Sequence, residues 1–290
     1  MADAEGGWQV VAASLAGTSH IANGLPCQDA HGWRELPGGL LIAAVADGAG
    51  SAPRSDEGAE LVVEAALEAM AAGLLAAVEA GAPPLASVGD RVDGDRDDRP
   101  AAVLRAAFAA AREALLARAA AEGFAPRELA CTLALAIADE RGVCAAQVGD
   151  GVVLVQGADG AWRSLLEPQK GEYANEVLLL NAPDALARLS LARAPDPQAL
   201  VMSTDGLIRL MLRLPGGEPH PAFLDPLVAF ARQTVDSAHS RRGLLAFLGS
   251  ERVCGRTDDD KTLLVALRPT AAAATSAVED PGVGGSTAGG

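Results

Sequence analysis

The sequence predicts an α+β fold with antiparallel sheets, and three observations carry that expectation. Several apolar runs short enough for single strands end abruptly on acidic, glycine-containing turns, as in Leu40–Val45 before Asp47-Gly48. Two long stretches repeat apolar residues at helical spacing, one after Ser55 and one after Pro100. Between Cys131 and Gln156 the period switches to two, with only short turns between runs, which is the mark of antiparallel neighbours.

Trp8–Leu15 (WQVVAASL) reads as the first strand, and residues 17–31 as an irregular loop containing Pro26-Cys27-Gln28-Asp29. The Leu40–Val45 strand follows and ends at the Asp47 turn. Ser55-Asp56-Glu57 open a helix with acidic side chains in the first turn, where the helix dipole favours them. Glu57, Glu60, Glu64 and Glu68 form its solvated stripe; Leu61, Ala65 and Ala69, with Val62 and Ala66, form the expected buried face. Residues 81–99 are polar and turn-rich. Pro100 suits a first helical position, and Leu104, Phe108, Ala111 and Leu115 define a second core-facing helix stopping before Gly123.

Cys131, Leu133, Leu135 and Ile137 then alternate with Thr132 and alanines, giving a strand with one face of very small side chains. Asp139–Gly142 is a turn, Val143–Val148 the hairpin partner and Gly151–Gln156 a third strand, an expected meander under alanine-faced helices. Residues 158–197 read as irregular. Leu200-Val201-Met202 leads to Asp205, helices are expected at 207–212, 221–232 and 241–248, and Thr262–Leu267 is a final buried strand. From Thr270 the Ala/Gly/Ser/Thr-rich end has no periodicity and reads as a disordered tail. The domain expected is residues 1–269, with 270–290 as that tail.

Half of the 290 residues are apolar but only 3% are aromatic, so the core must be built from Ala, Val and Leu. With Lys+Arg 23 against Asp+Glu 38, the net charge of −15 argues against a nucleic-acid or anionic-membrane surface. It does not exclude a phosphate substrate, because divalent metals invert the local field. The four cysteines (Cys27, Cys131, Cys144, Cys254) show no CxxC spacing, so neither a disulfide framework nor a zinc site is indicated. The acidic start lacks a signal peptide's basic and apolar regions, and no apolar run approaches the roughly 20 residues that span a bilayer. The cytoplasm is the expected compartment.

Four acidic turns or strand ends need a common cause: Asp47-Gly48, Gly149-Asp150-Gly151, Thr204-Asp205-Gly206 and Asp258-Asp259-Asp260. Carboxylates near one another repel unless something neutralises them. Hard divalent cations such as Mg²⁺ or Mn²⁺ do so and prefer oxygen ligands. Two such ions can supply hydroxide near neutral pH, and the reaction that most often uses them is in-line attack on a phosphate ester.

The ordered set Gln28-Asp29, Asp47-Gly48-x-Gly50, Gly149-Asp150, Ser203-Thr204-Asp205-Gly206 and Asp259-x-x-Thr262 resembles the PPM (PP2C-type) metal-dependent Ser/Thr protein phosphatases, in a bacterial cytoplasmic branch. The likeness runs from about Val11 to Leu267. It implies an αββα sandwich, two central antiparallel sheets flanked by helices, with Mn²⁺ or Mg²⁺ in a cleft between the sheets. It also implies that Asp47 bridges two metals, that the Gly48 carbonyl ligates the first, and that Asp205 and Asp259 hold the second. Asp150 with Asp205 would form a third site. Asp29 would orient metal-bound water without itself ligating a metal, and Tyr173–Glu176 would lie in a mobile flap. The expected reaction is direct hydrolysis of phosphoserine or phosphothreonine, with phosphorylated proteins and a cognate Ser/Thr kinase as partners.

Several positions stay open at this level. Asp29 and Asp150 also suit ordinary turn aspartates, and Asp258 or Asp260 competes with Asp259. His20 either takes over phosphate binding from an Arg that relatives carry in this loop, or caps the loop. Arg54 either reaches a substrate phosphate or is a surface residue. Ala49 stands where some relatives have a proton-donating His, and Asp260 where Asn is usual. The alternative function is a regulatory or phosphoprotein-binding module on the same fold.

Overall fold

A core with few aromatics can bring two sheets close together, and the chain does so. The computed structural model describes residues 7–79, 98–169, 177–233 and 237–268. The chain begins with β1 (Gln9–Leu15), a short helix α1 (Thr18–Ala22), β2 (Asp29–Leu36) and β3 (Leu40–Asp47). Two long helices follow, α2 (Ser55–Glu79) and α3 (Arg99–Glu122), and then β4 (Leu133–Ala138), β5 (Gly142–Val148), β6 (Val152–Gln156) and β7 (Trp162–Leu166). Next come β8 (Ser190–Pro195), β9 (Ala199–Ser203), α4 (Ile208–Met211) and the hairpin β10 (Leu212–Arg213) and β11 (Glu218–Pro219). The last elements are α5 (Pro221–Gln233), α6 (Ser237–Leu248), α7 (Glu251–Cys254) and β12 (Lys261–Leu267).

The long strands form two five-stranded sheets, β1-β12-β9-β6-β7 and β2-β3-β4-β5-β8, antiparallel throughout. Period-two alternation sorts their side chains into three layers. Leu41, Ala43, Val45, Ala134, Ala136 and Ala138 of the second sheet meet Ala12, Val153, Leu200, Met202 and Leu264 of the first. Ile42, Ala44, Leu133, Leu135 and Ile137 face the other way, onto α2 and α3. Val11, Val201, Leu263 and Val265 of the first sheet pack against Leu224, Val228, Leu244 and Leu248 of α5 and α6. The architecture is the expected αββα sandwich.

Several local expectations are corrected. β6 does not complete a meander on β5: it pairs with β7 and β9 in the other sheet. The reason is Gly149, whose φ of +120° turns the chain out of one sheet and into the other. The alanine face of β4 therefore lines the seam between sheets, while its large residues meet the helices. Residues 17–31 contain α1 and the start of β2, and residues 158–197 contain β7 and β8; the Tyr173–Glu176 motif lies outside the described residues. The buried face of α2 is Ala59, Val62, Val63, Ala66, Leu67 and Met70, with Leu61, Ala65 and Ala69 only half-buried. Close approach to β2 sets this rotation: a Cβ on Gly32 would lie 2.7 Å from Leu67 and 3.0 Å from Val63.

Candidate metal centre

Both sheets end their central strands at the same mouth. In the second sheet, Asp29 starts β2 directly opposite Asp47, which ends β3. The turn after Asp47 is pinned on each side. Thr132 Oγ1 accepts the Asp47 N–H at 3.0 Å, the Thr132 N–H reaches the Asp47 carbonyl at 2.8 Å, and the Gly48 N–H donates to the Gln28 carbonyl at 3.0 Å. A Cβ on Gly48 would sit 2.6 Å from that carbonyl oxygen and 2.7 Å from the Ser55 one, so only glycine fits.

The first sheet contributes the rest. Asp150 follows the Gly149 crossing, Asp205 begins the turn after β9, and Asp259 precedes β12. The backbone at Gly206 passes so near the Asp260 carbonyl oxygen that a Cβ would lie 1.8 Å from it. Carboxylate oxygens of Asp47, Asp150 and Asp205 come within 4.8 Å of one another. Asp259 is exposed, and its Oδ1 accepts the Asp260 N–H at 2.9 Å; its charge still acts on Asp150 and Asp205. Three of the sequence-predicted acids thus form one cluster, with Asp29 behind it and Asp259 at its edge.

The electrostatics are those of a site built for a cation. Burial first, and then the charges of Asp29 and Asp205, push the Asp47 carboxyl far above the usual range. Burial raises Asp29 to about 8, against hydrogen bonds from Thr204 and Thr262 that favour the ion, with the Asp260 and Asp205 charges adding to the rise. Asp150 is raised to about 6 by burial and by the charges of Asp205 and Asp259. Asp205 is raised by burial, with Asp47 hydrogen-bonded to it. Asp29 Oδ2 takes the Thr204 hydroxyl at 2.7 Å, while its buried Oδ1 has no hydrogen-bond partner. An orphaned carboxylate oxygen beside an all-oxygen cluster fits a hydrated hard cation, since buried charge needs compensation. The donors contain no thiolate or imidazole, which points away from soft metals.

His20 and Asp260 are also located. His20 Nδ1 lies 2.6 Å from Asp260 Oδ1, and that oxygen also accepts the Gly17 N–H at 2.6 Å. Asp260 Oδ2 accepts the Gln28 N–H at 2.5 Å. Asp260 is buried and organises the whole first loop, a role the sequence did not disclose. Arg54 donates to Glu57 and Glu122 at 2.9 Å and stacks over Phe124 at 4.2 Å, so it is engaged in structure. Cys27, beside Asp29 and Asp260, is pushed up to about 12, chiefly by burial, which makes it inert as a nucleophile.

Two further residues escaped sequence reading. Thr204, just before Asp205, holds Asp29; a hydroxyl beside an acidic strand end was its only signal. Lys261 is fully buried, and its ammonium donates to the Asp259 carbonyl at 3.1 Å and the Ala16 carbonyl at 3.5 Å, tying β1 to the acidic turn. A lone lysine opening an apolar strand gives no hint of that.

The fold matches solved structures. Over 93% of this chain and 99% of the other, it is similar to the serine/threonine phosphatase Stp1 from Staphylococcus aureus, with a TM-score of 0.58 at 12% identity. A bacterial serine phosphatase matches over 90% of this chain and 97% of its own, with a TM-score of 0.58 at 11% identity. These place the architecture among PP2C-fold sandwiches. In sequence, residues 16–249 match the family described as protein phosphatase 2C. The chain is 35% identical over 272 residues to serine/threonine-protein phosphatase 3 of Escherichia coli K12, covering 90% of this chain and 98% of that protein. The chain belongs to the protein phosphatase 2C family.

Proposed function

We propose that the protein hydrolyses phosphoserine and phosphothreonine in proteins by direct attack of hydroxide on phosphorus, without a phosphoenzyme. The single observation that carries this reading is the convergence of Asp47, Asp150 and Asp205, from separate strand ends, on one half-buried point. The relatives' names add support: serine/threonine-protein phosphatase 3 at 35% identity is named for this activity. Asp47, Asp205, Asp150, Asp259 and the Gly48 carbonyl would hold Mn²⁺ or Mg²⁺ ions. When bound, the ions supply a hydroxide at neutral pH and neutralise the phosphoryl charge.

The chain's own residues set the geometry. Asp29, held through Oδ2 by Thr204 and with Oδ1 unpartnered, would orient the attacking water. The pinned Asp47–Gly48 turn keeps the ligand carboxylate from swinging away, which is what preorganisation requires. Cys27 takes no part, and neither do the buried Cys131 and Cys144. Phosphorylated proteins are the partners in this reading, a cognate Ser/Thr kinase among those acting on the same sites. The cytoplasm is the proposed compartment; no helix among the described residues is long and apolar enough to cross a membrane.

The test is hydrolysis of a phosphothreonine peptide and of p-nitrophenyl phosphate with Mn²⁺, comparing the wild type with Asp47→Asn and Asp205→Asn. Wild-type turnover lost in both variants is expected. Tight Mn²⁺ binding without turnover of any phosphopeptide would make the chain a regulatory module instead.

A further inference from the structure

We propose that His20 donates the proton that the leaving serine or threonine oxygen needs, and that Asp260 is the residue that positions it. The inference rests on the phosphatase reading and deepens it. Cleaving the phosphorus–oxygen bond leaves its electron pair on an alkoxide, a poor leaving group unless protonated as the bond breaks. The turn after Asp47 offers no donor, since Ala49 follows Gly48.

The sequence holds four histidines. His31 Nδ1 lies 2.8 Å from Ser14 Oγ inside the sandwich, His220 Nδ1 lies 3.1 Å from the Leu210 carbonyl, and His239 is exposed on α6. Among the described residues only His20 is held by a carboxylate, and that carboxylate lies one residue from Asp259 at the edge of the cluster. Asp260 adjoins Asp259, its charge acts on Asp29, and the Gln28 it grips receives the Gly48 N–H.

Both Asp260 oxygens already accept backbone N–H groups, so Asp260 faces His20 as an acceptor and Nδ1 carries the proton. Among the described residues Nε2 has no hydrogen-bond partner, and the side chain keeps 13% exposure, enough to meet a substrate but not to swing freely. This is the arrangement in which a carboxylate orients an imidazole. In the step, Nε2 gives its proton to the serine or threonine oxygen as the phosphorus–oxygen bond breaks. Water supplies hydroxyl to phosphorus, and the proton that water loses to solvent balances the one His20 later regains. The products are the free side-chain alcohol and inorganic phosphate.

The experiment separates leaving groups. Nitrophenolate departs without a proton, whereas a serine or threonine alkoxide does not. His20→Gln should lose about 10²-fold or more in kcat on a phosphothreonine peptide, while kcat on p-nitrophenyl phosphate changes only a few-fold. Asp260→Asn should show a smaller loss with the same selectivity. Equal losses on both substrates, or no loss on either, would overturn the assignment. A wild-type series of aryl phosphates, independent of whether any variant folds, should show a shallow dependence of kcat on leaving-group basicity; a steep one overturns the proposal as well. Loss of both substrates in Asp205→Asn with retention of p-nitrophenyl phosphate turnover in His20→Gln supports both readings. A wild-type chain inactive on both substrates with Mn²⁺ defeats the phosphatase reading and this one with it.

Discussion

Thr204 shows how much of the site depends on one hydroxyl. Its Oγ1 donates to Asp29 Oδ2 at 2.7 Å and accepts the Thr262 N–H at 3.2 Å, joining both sheets behind the acids. Thr204→Val keeps the shape and removes both bonds, leaving the buried Asp29 carboxylate one hydrogen bond short and a buried N–H unpaired. The expected cost is about 1–3 kcal/mol, read as a lower melting temperature, with a fall in Mn²⁺ affinity by calorimetry. An unchanged melt would show that Asp29 needs no such support. Gly48→Ala is a steric counterpart: its Cβ meets two backbone oxygens within 2.7 Å, so the turn must move. Mn²⁺ binding should collapse while circular dichroism still reports a folded sandwich, because the clash is confined to one turn.

At the scale of elements, the sequence made the strands and the long helices legible and left their partnerships hidden. Period-two alternation found β4 and β5, and Asp-Gly turns found the ends of β3 and β9, because both signals are local. The crossing at Gly149 was not legible, since a glycine between two strands reads equally as a hairpin turn or as an exit to another sheet. The site was readable in outline because each acid marks a strand end. The hidden parts, Thr204, Lys261 and the loop-holding role of Asp260, act through residues distant in sequence. Gly149→Ala tests the crossing. A φ of +120° and a Cβ 2.5 Å from that of Thr132 make it strained, at about 1–3 kcal/mol or more. Urea unfolding should shift to a lower midpoint, and Mn²⁺ stoichiometry should fall through displacement of Asp150 while Asp47 and Asp205 keep their places. Full stoichiometry with an unshifted midpoint would mean that the crossing tolerates a side chain.

For the molecule as a whole, the two sheets meet at a mouth where mutual repulsion of ionised acids opposes folding. The sign follows from the raised carboxyls. Asp150 at about 6 and Asp29 at about 8 both stand above the unfolded value of 3.8, so the folded chain holds more protons than the unfolded chain between those limits. Their contribution is fully present below about pH 4 and is lost as pH climbs through 6 and then 8. A chelator-treated sample should therefore melt at progressively lower temperature from pH 5 to pH 8. With Mn²⁺ at a hundred times its dissociation constant, binding should add about 2.7 kcal/mol and the slope should flatten or reverse, because ligation requires the ionised acids. Asp29→Asn should make the metal-free slope above pH 6 shallower and leave the parts due to Asp150 and Asp47. If the metal-free protein instead grew more stable over that range, the acids would have to be compensated by the polypeptide itself, and the mouth between the sheets would not need a metal to hold it together.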